Sequence, residues 1–249
     1  MDLEKPIVQE KRRKAANGGE ETVIGTVNLW VVPPFAGVLA AVTIALCYVI
    51  SVHNKSVSPF PQTDITHTAR YPPSEYIFRI GIPVAMVILQ LVWWVICTWM
   101  EAESARLSIS ARREKLAFIL GIAGANLLIL ASVLIQPGDM DWTLHIFGAT
   151  GFFICTYLAQ VLTTTKLQSL KDLDPRVTPD SAMKIKWFVI FFAGAALLLD
   201  ALSGFIHDMP YLGNILEYVL TLLVLVWFVS IAIDFKGRLV TNLVLISQH

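Results

Sequence analysis

The chain has 249 residues, 55% hydrophobic and 15% charged, with mean hydropathy +0.64 and zero formal net charge. Soluble domains carry about 25% charged residues, so this balance points to a bilayer and leaves no room for a separate soluble domain. Zero net charge removes any bulk electrostatic case for nucleic acid, and none is expected as a partner.

In chain order, residues 1–27 read as a polar N-terminal tail centred on Lys11-Arg12-Arg13-Lys14, with no short apolar core of a signal peptide. The first apolar run is therefore expected to be a retained anchor. A crossing needs roughly 20 apolar residues, and residues 28–235 supply six stretches of about that length. The predicted spans are 30–52, 80–100, 116–136, 146–165, 187–206 and 214–233. The first connection, 53–75, is long and rich in Pro, Thr and Ser. Ala117, Gly121 and Ala125 on the third span form a small-xxx-small series that admits a close neighbour. Pro137 to Asp141 predicts a tight reversal. Asp174-Pro175 and Thr178-Pro179 predict an irregular stretch between Lys166 and Lys186. Residues 236–249 form a C-terminal tail. The fold class is thus an all-α polytopic membrane protein with six transmembrane helices.

Basic residues set the orientation. With the N-terminus inside, 16 of the 19 Lys and Arg fall on cytosolic segments, leaving only Lys55, Arg70 and Arg79 outside. Both termini are expected in the cytosol, and loop 53–75 in the lumen. Cys47, Cys97 and Cys155 each lie in an apolar run and have no zinc-site spacing, so no metal and no cofactor is expected.

Ionisable groups inside a membrane are costly and ask for an explanation. Asp200, Ser203 and His207 share a face of the fifth span; His145 opens the fourth and Glu217 the sixth. Asp64, His67, Arg70, Glu75 and Arg79 come from the first loop and the start of the second span. The six-span topology brings all of them to the lumenal leaflet. Three readings follow. Asp200 could simply pair with Arg79 or a tyrosine to hold the bundle, the histidines sitting at the interface. The cluster could bind a lipid headgroup, arginines to phosphate and acids to hydroxyls or amines. His145 or His207 could act as a general base oriented by Asp200 or Glu217. A metal version using His67, His145 and His207 requires the first loop to fold down onto the helix ends. Asn54-Lys55-Ser56 is a glycosylation sequon, placed so close to the membrane surface that it is a poor acceptor. No Gly-rich phosphate loop, GxSxG elbow or HExxH is present.

Several short motifs resemble one family. Tyr71-Pro72-Pro73-Ser74-Glu75-Tyr76 closing the first loop and His145-Ile146-Phe147-Gly148-Ala149 opening the fourth span resemble the Frag/DRAM/Sfk family of six-span proteins. Ile215-Leu216-Glu217-Tyr218, Asp234-Phe235 and the tail Leu245-Ile246-Ser247-Gln248 are similar to its post-GPI attachment to proteins factor 2 branch. Asp64-Ile65-Thr66 departs from that family's Asp-Thr-Gly, and the branch's tryptophans before Asp234 are absent. The resemblance implies a Golgi or endoplasmic reticulum membrane protein that remodels the lipid of GPI anchors, as enzyme or as helper. Its partners would be membrane lipid, that of GPI-anchored proteins above all, and other membrane proteins. It highlights Pro72, Pro73, Glu75, His145, Glu217 and Tyr218. Other branches imply the alternative, a non-enzymatic membrane adaptor working in autophagy or phosphoinositide-kinase regulation through the basic loops 106–115 and 166–186.

Overall fold

The computed structural model of the chain describes residues 21–135, 139–203, 211–236 and 240–246. Six of its helices are long and apolar enough to cross a membrane. A one-turn 3-10 segment, Leu29–Val31, leads into α1, Val32–His53. A four-residue helix, α2, spans Ile65–Thr68 in the first connection. Then follow α3, Ser74–Arg106; α4, Arg112–Val133; α5, Asp139–Leu173; α6, Asp180–Ser203; and α7, Leu212–Phe235. The body is an all-helical integral membrane protein, as the six apolar runs predict.

Two helices, α1 and α6, sort their residues by size. On α1 the small residues Ala36, Ala40 and Cys47 are buried, while Val38, Val42 and Val49 are exposed one face away. On α6 the exposed side carries Phe188, Phe191 and Phe192. Apolar side chains on the outer face of an apolar helix suit a hydrocarbon solvent. The small-residue series of α4 packs closely: Ala117 and Ala125 are buried, and a Cβ on Gly121 would fall 2.4 Å from the Trp93 indole. Gly121 is thus the seat of Trp93, the largest buried side chain on α3. Gly148 of α5 does the same for the α4 backbone, where an added Cβ would stand 2.6 Å from the Leu127 carbonyl oxygen.

α3 and α5 run past the apolar stretches because local polar pairs sustain the helix beyond the hydrocarbon. Glu75 pairs with Arg79 in the first turns of α3, and Gln168 donates to Asp172 near the end of α5. The expected irregularity over 166–186 therefore shrinks to 174–179, where Pro175 and Pro179 sit. Asp174 closes this corner. Its carboxylate accepts from Arg176 and pairs with Arg106 at 2.9 Å; the Arg176 bonds hold its pKa down at about 2.

Two buried ion pairs lock the same end of the bundle. Lys166 reaches Glu114 at 2.9 Å, with Ser104 also donating to that carboxylate. Lys186 reaches Asp234 at 2.6 Å and also donates to the Ser230 carbonyl, while the Thr178 hydroxyl donates to the Asp234 carboxylate. Paired and hydrogen-bonded charges are the form in which an interior tolerates them.

A separate small unit is a two-stranded antiparallel sheet, β1 at Glu21–Asn28 with β2 at Val240–Ile246. Glu21 lies opposite Ile246 and Asn28 opposite Val240, with a register shift between Val23 and Gly25. The hydropathy reading treated both stretches as tails; their β-branched content (Thr22, Val23, Val27, Val240, Thr241, Val244) explains the pairing.

Candidate functional site

The first connection folds back onto the helix ends. Asp64 caps α2: its carboxylate accepts the His67 backbone N–H at 2.6 Å and the His67 ring Nδ1 at 2.8 Å. That hydrogen bond raises the His67 pKa above the ordinary imidazole value, against burial and the Arg70 charge, which lower it. On one side the connection is held by Ser51, whose hydroxyl donates to the Thr68 carbonyl at 2.6 Å and lies 2.8 Å from Ser74 Oγ. On the other, Asn214 of α7 donates to the Pro61 carbonyl at 3.1 Å. Trp142 of α5 receives the rest: it stacks on His145, meets the His67 ring edge-on, and lies under the Arg70 guanidinium at 5.4 Å.

At the centre of this docking stands a three-residue chain. Glu217 accepts the Ile65 backbone N–H and the Thr66 hydroxyl, each at 3.3 Å. Thr66 Oγ1 is also 3.1 Å from His145 Nε2, and His145 Nδ1 is 2.8 Å from the Ala131 carbonyl oxygen. That carbonyl can only accept, so Nδ1 carries a proton. The Thr66 hydroxyl has one proton to give. It goes either to the Glu217 carboxylate or to His145 Nε2, so the two ionisable groups are joined through one hydroxyl, the arrangement required of a general acid–base relay.

Two spaces meet at this chain. An apolar cavity of about 70 Å³ runs between α1, α3, α4, α5 and α7, from Thr66, His145 and Glu217 at one end to Leu89 and Phe228 at the other. A polar vestibule of about 270 Å³ adjoins it, lined by Asp64, Thr66, Trp142, His145, Asp200, Asn214 and Glu217. A hydrocarbon compartment and a carboxylate-rich compartment thus share Thr66, His145 and Glu217 as their common wall.

The structure brings together Asp64, His145, Asp200 and Glu217. His67 joins them through its bond to Asp64, whereas Arg79, Glu75, Ser203, Pro72, Pro73 and Tyr218 stand apart from these carboxylates and this imidazole. Arg79 is paired with Glu75 at 3.0 Å, one turn away on its own helix, so the expected Arg79–Asp200 pair does not form. Ser203 donates to the Asp200 backbone carbonyl, not to its carboxylate, because a hydroxyl three residues on reaches the free carbonyls of a helix end more easily. Pro72 and Pro73 are exposed ahead of α3, and Tyr218 packs edge-on against Phe60. Asn54 is the exposed C-cap of α1. His207 and the Pro137-Gly138 step lie outside the described residues. Among the described residues no cluster of three His, Cys, Asp or Glu is placed to hold a metal.

Sequence reasoning missed Thr66, Trp142 and Asn214, which carry the docking. Thr66 sits in a Thr-rich loop where no spacing rule singles it out.

Comparison with protein families gives a match over residues 28–238 to the Frag1/DRAM/Sfk1/Cwh43P N-terminal domain. The chain belongs to this family. The match covers the six helices and the first connection, and with them every residue of the Glu217–Thr66–His145 chain. Searches of curated proteins and of solved structures each return no match.

Proposed function

We propose that this Frag1/DRAM/Sfk1 family protein is a remodelling factor for the lipid of GPI anchors, of the post-GPI attachment to proteins factor 2 type. It acts at the lumenal leaflet of the Golgi or endoplasmic reticulum, with both termini in the cytosol. The observation that carries this reading is the apolar cavity ending on Glu217, Thr66 and His145. A lipid presents the same division, a hydrocarbon chain joined through an ester to a polar head. With the ester-proximal carbons of the chain in the cavity, the ester stands at the relay and the head in the vestibule. Asp64, Asp200 and Glu217 favour a head rich in hydroxyls and amines, which donate to carboxylates. The Lys and Arg bias of the sequence supports a lumenal position for this site.

The test is removal of the chain from cells, followed by mass spectrometry of anchor lipids and surface counts of a GPI-anchored reporter. Altered anchor chains or loss of the reporter, restored by wild type and not by a Glu217→Gln, His145→Ala double variant, is the expected result. Unchanged anchors overturn the proposal.

One observation favours the adaptor reading. At the opposite end a groove of about 570 Å³ is lined by Ser110, Arg112, Arg113, Ser169 and Asp172, and its two arginines against one carboxylate would suit an acidic partner. Lys166, also in its wall, is already committed to Glu114. If Arg112→Glu with Arg113→Glu abolishes function while the double variant above retains it, the adaptor reading replaces the first.

A further inference from the structure

Resting on the lipid-ester reading above, we infer that Thr66 is the nucleophile of the site. Its hydroxyl takes the acyl group of a lipid as a threonyl ester and passes it to a second hydroxyl. A hydroxyl serves as nucleophile when a base holds its proton and a third group holds the base. Thr66 Oγ1 is 3.1 Å from His145 Nε2, nearer than the 3.3 Å to the Glu217 carboxylate. His145 Nδ1 lies 2.8 Å from the Ala131 carbonyl oxygen, which can only accept. The Nδ1 proton is therefore committed, and the neutral ring presents its lone pair, at Nε2, to the Thr66 hydroxyl. Trp142 stacks on the imidazole within 15° of parallel and fixes the plane of the ring. A backbone carbonyl thus orients the base where other triads use a carboxylate.

The nucleophile is held as firmly as its base. Thr66 lies between Ile65, whose N–H is bonded to Glu217, and His67, whose N–H is bonded to Asp64. Thr66 and His145 are both buried, yet both line the vestibule and the apolar cavity, so an ester at this wall meets the hydroxyl from within the protein. In the first half of the reaction Thr66 Oγ1 bonds to the ester carbonyl carbon as its proton passes to Nε2. The bond from that carbon to the lipid's alcohol oxygen breaks, and the oxygen takes the proton from Nε2, releasing a lysolipid. In the second half the hydroxyl of an acceptor lipid gives its proton to Nε2 and bonds to the acyl carbon, and Thr66 Oγ1 leaves with the proton. Both halves balance, and the ring ends neutral, as it began. The imidazolium formed in passing shares the vestibule with Asp64, Asp200 and Glu217, acids whose charge favours it.

The experiment treats the purified full chain in detergent with p-nitrophenyl acetate, quenches in acid and maps the acetyl groups by tandem mass spectrometry. Wild type is expected to carry acetyl on Thr66. His145→Ala should slow its appearance by about 100-fold, the usual contribution of a general base, and Thr66→Val should abolish it. Thr66→Cys should keep the adduct and change its chemistry, from an oxygen ester stable to neutral hydroxylamine to a thioester cleaved by it. A hydroxyl that served the fold alone would show none of these changes. No acetyl on Thr66 in folded wild type, acetyl on His145 in its place, or acetylation of Thr66 undiminished in folded His145→Ala protein overturns the nucleophile. The adduct is read without reference to anchor lipids, so its failure is distinct from that of the remodelling reading, which unchanged anchors in cells overturn.

Discussion

Thr66 Oγ1 stands 3.1 Å from His145 Nε2, although 79 positions of chain separate them. The contact joins a loop hydroxyl to a helix imidazole, and Glu217 of α7 reaches the same hydroxyl from the other side. Three elements distant in sequence are therefore tied at one oxygen atom.

Thr66→Val keeps the shape of that residue and removes the oxygen. His145 Nε2, which is buried, and one oxygen of the half-buried Glu217 then lose their shared partner, which costs about 1–3 kcal/mol. The thermal midpoint of the purified protein should fall and the GPI-reporter phenotype should be lost, with Thr66→Ser restoring both. An unchanged midpoint in Thr66→Val would show that the hydroxyl ties nothing.

The Asp64–His67 contact should weaken as pH rises. Its hydrogen bond to Asp64 raises the His67 pKa, so the contribution is complete below the ordinary value of about 6.5 and is lost on passing upward through the raised one. Hydrogen exchange read at matched intrinsic rates should show amides 64–68 better protected at pH 6 than at pH 8. Asp64→Asn should flatten the difference. A profile independent of pH in the wild type contradicts the assignment.

Lys186 and Asp234 are both fully buried and 2.6 Å apart. Lys186→Met alone leaves a carboxylate uncompensated and should cost about 3–5 kcal/mol. Adding Asp234→Leu removes the stranded charge and should recover most of that loss. Thermal unfolding of the two single variants and the double checks this; additive losses would mean that the residues do not act as a pair.

Much of the architecture was legible because hydrophobicity is a local property. Each apolar run announces its own helix, and Gly121 flanked by Ala117 and Ala125 announced a close approach that Trp93 fills. Pairing is not local, and the sequence said less about it. Lys166 and Lys186 entered the reading only as orientation charges, and the structure adds that each meets an acid on another helix. Arg79 was offered to Asp200, although the i, i+4 spacing to Glu75 already named a nearer partner. His145 and Glu217 stood out as ionisable groups at the ends of apolar runs. Thr66 did not, because a threonine in a polar loop carries no signal until the loop is seen to fold down.

The rings that close the cavity have a practical meaning. Tryptophan is the dominant intrinsic fluorophore of proteins, and Trp93 and Trp227 lie within 6 Å of each other with Phe228 against both. Any rearrangement at this end of the cavity therefore changes the surroundings of both indoles at once, and the protein reports it in its own emission, legible without a label on the polypeptide.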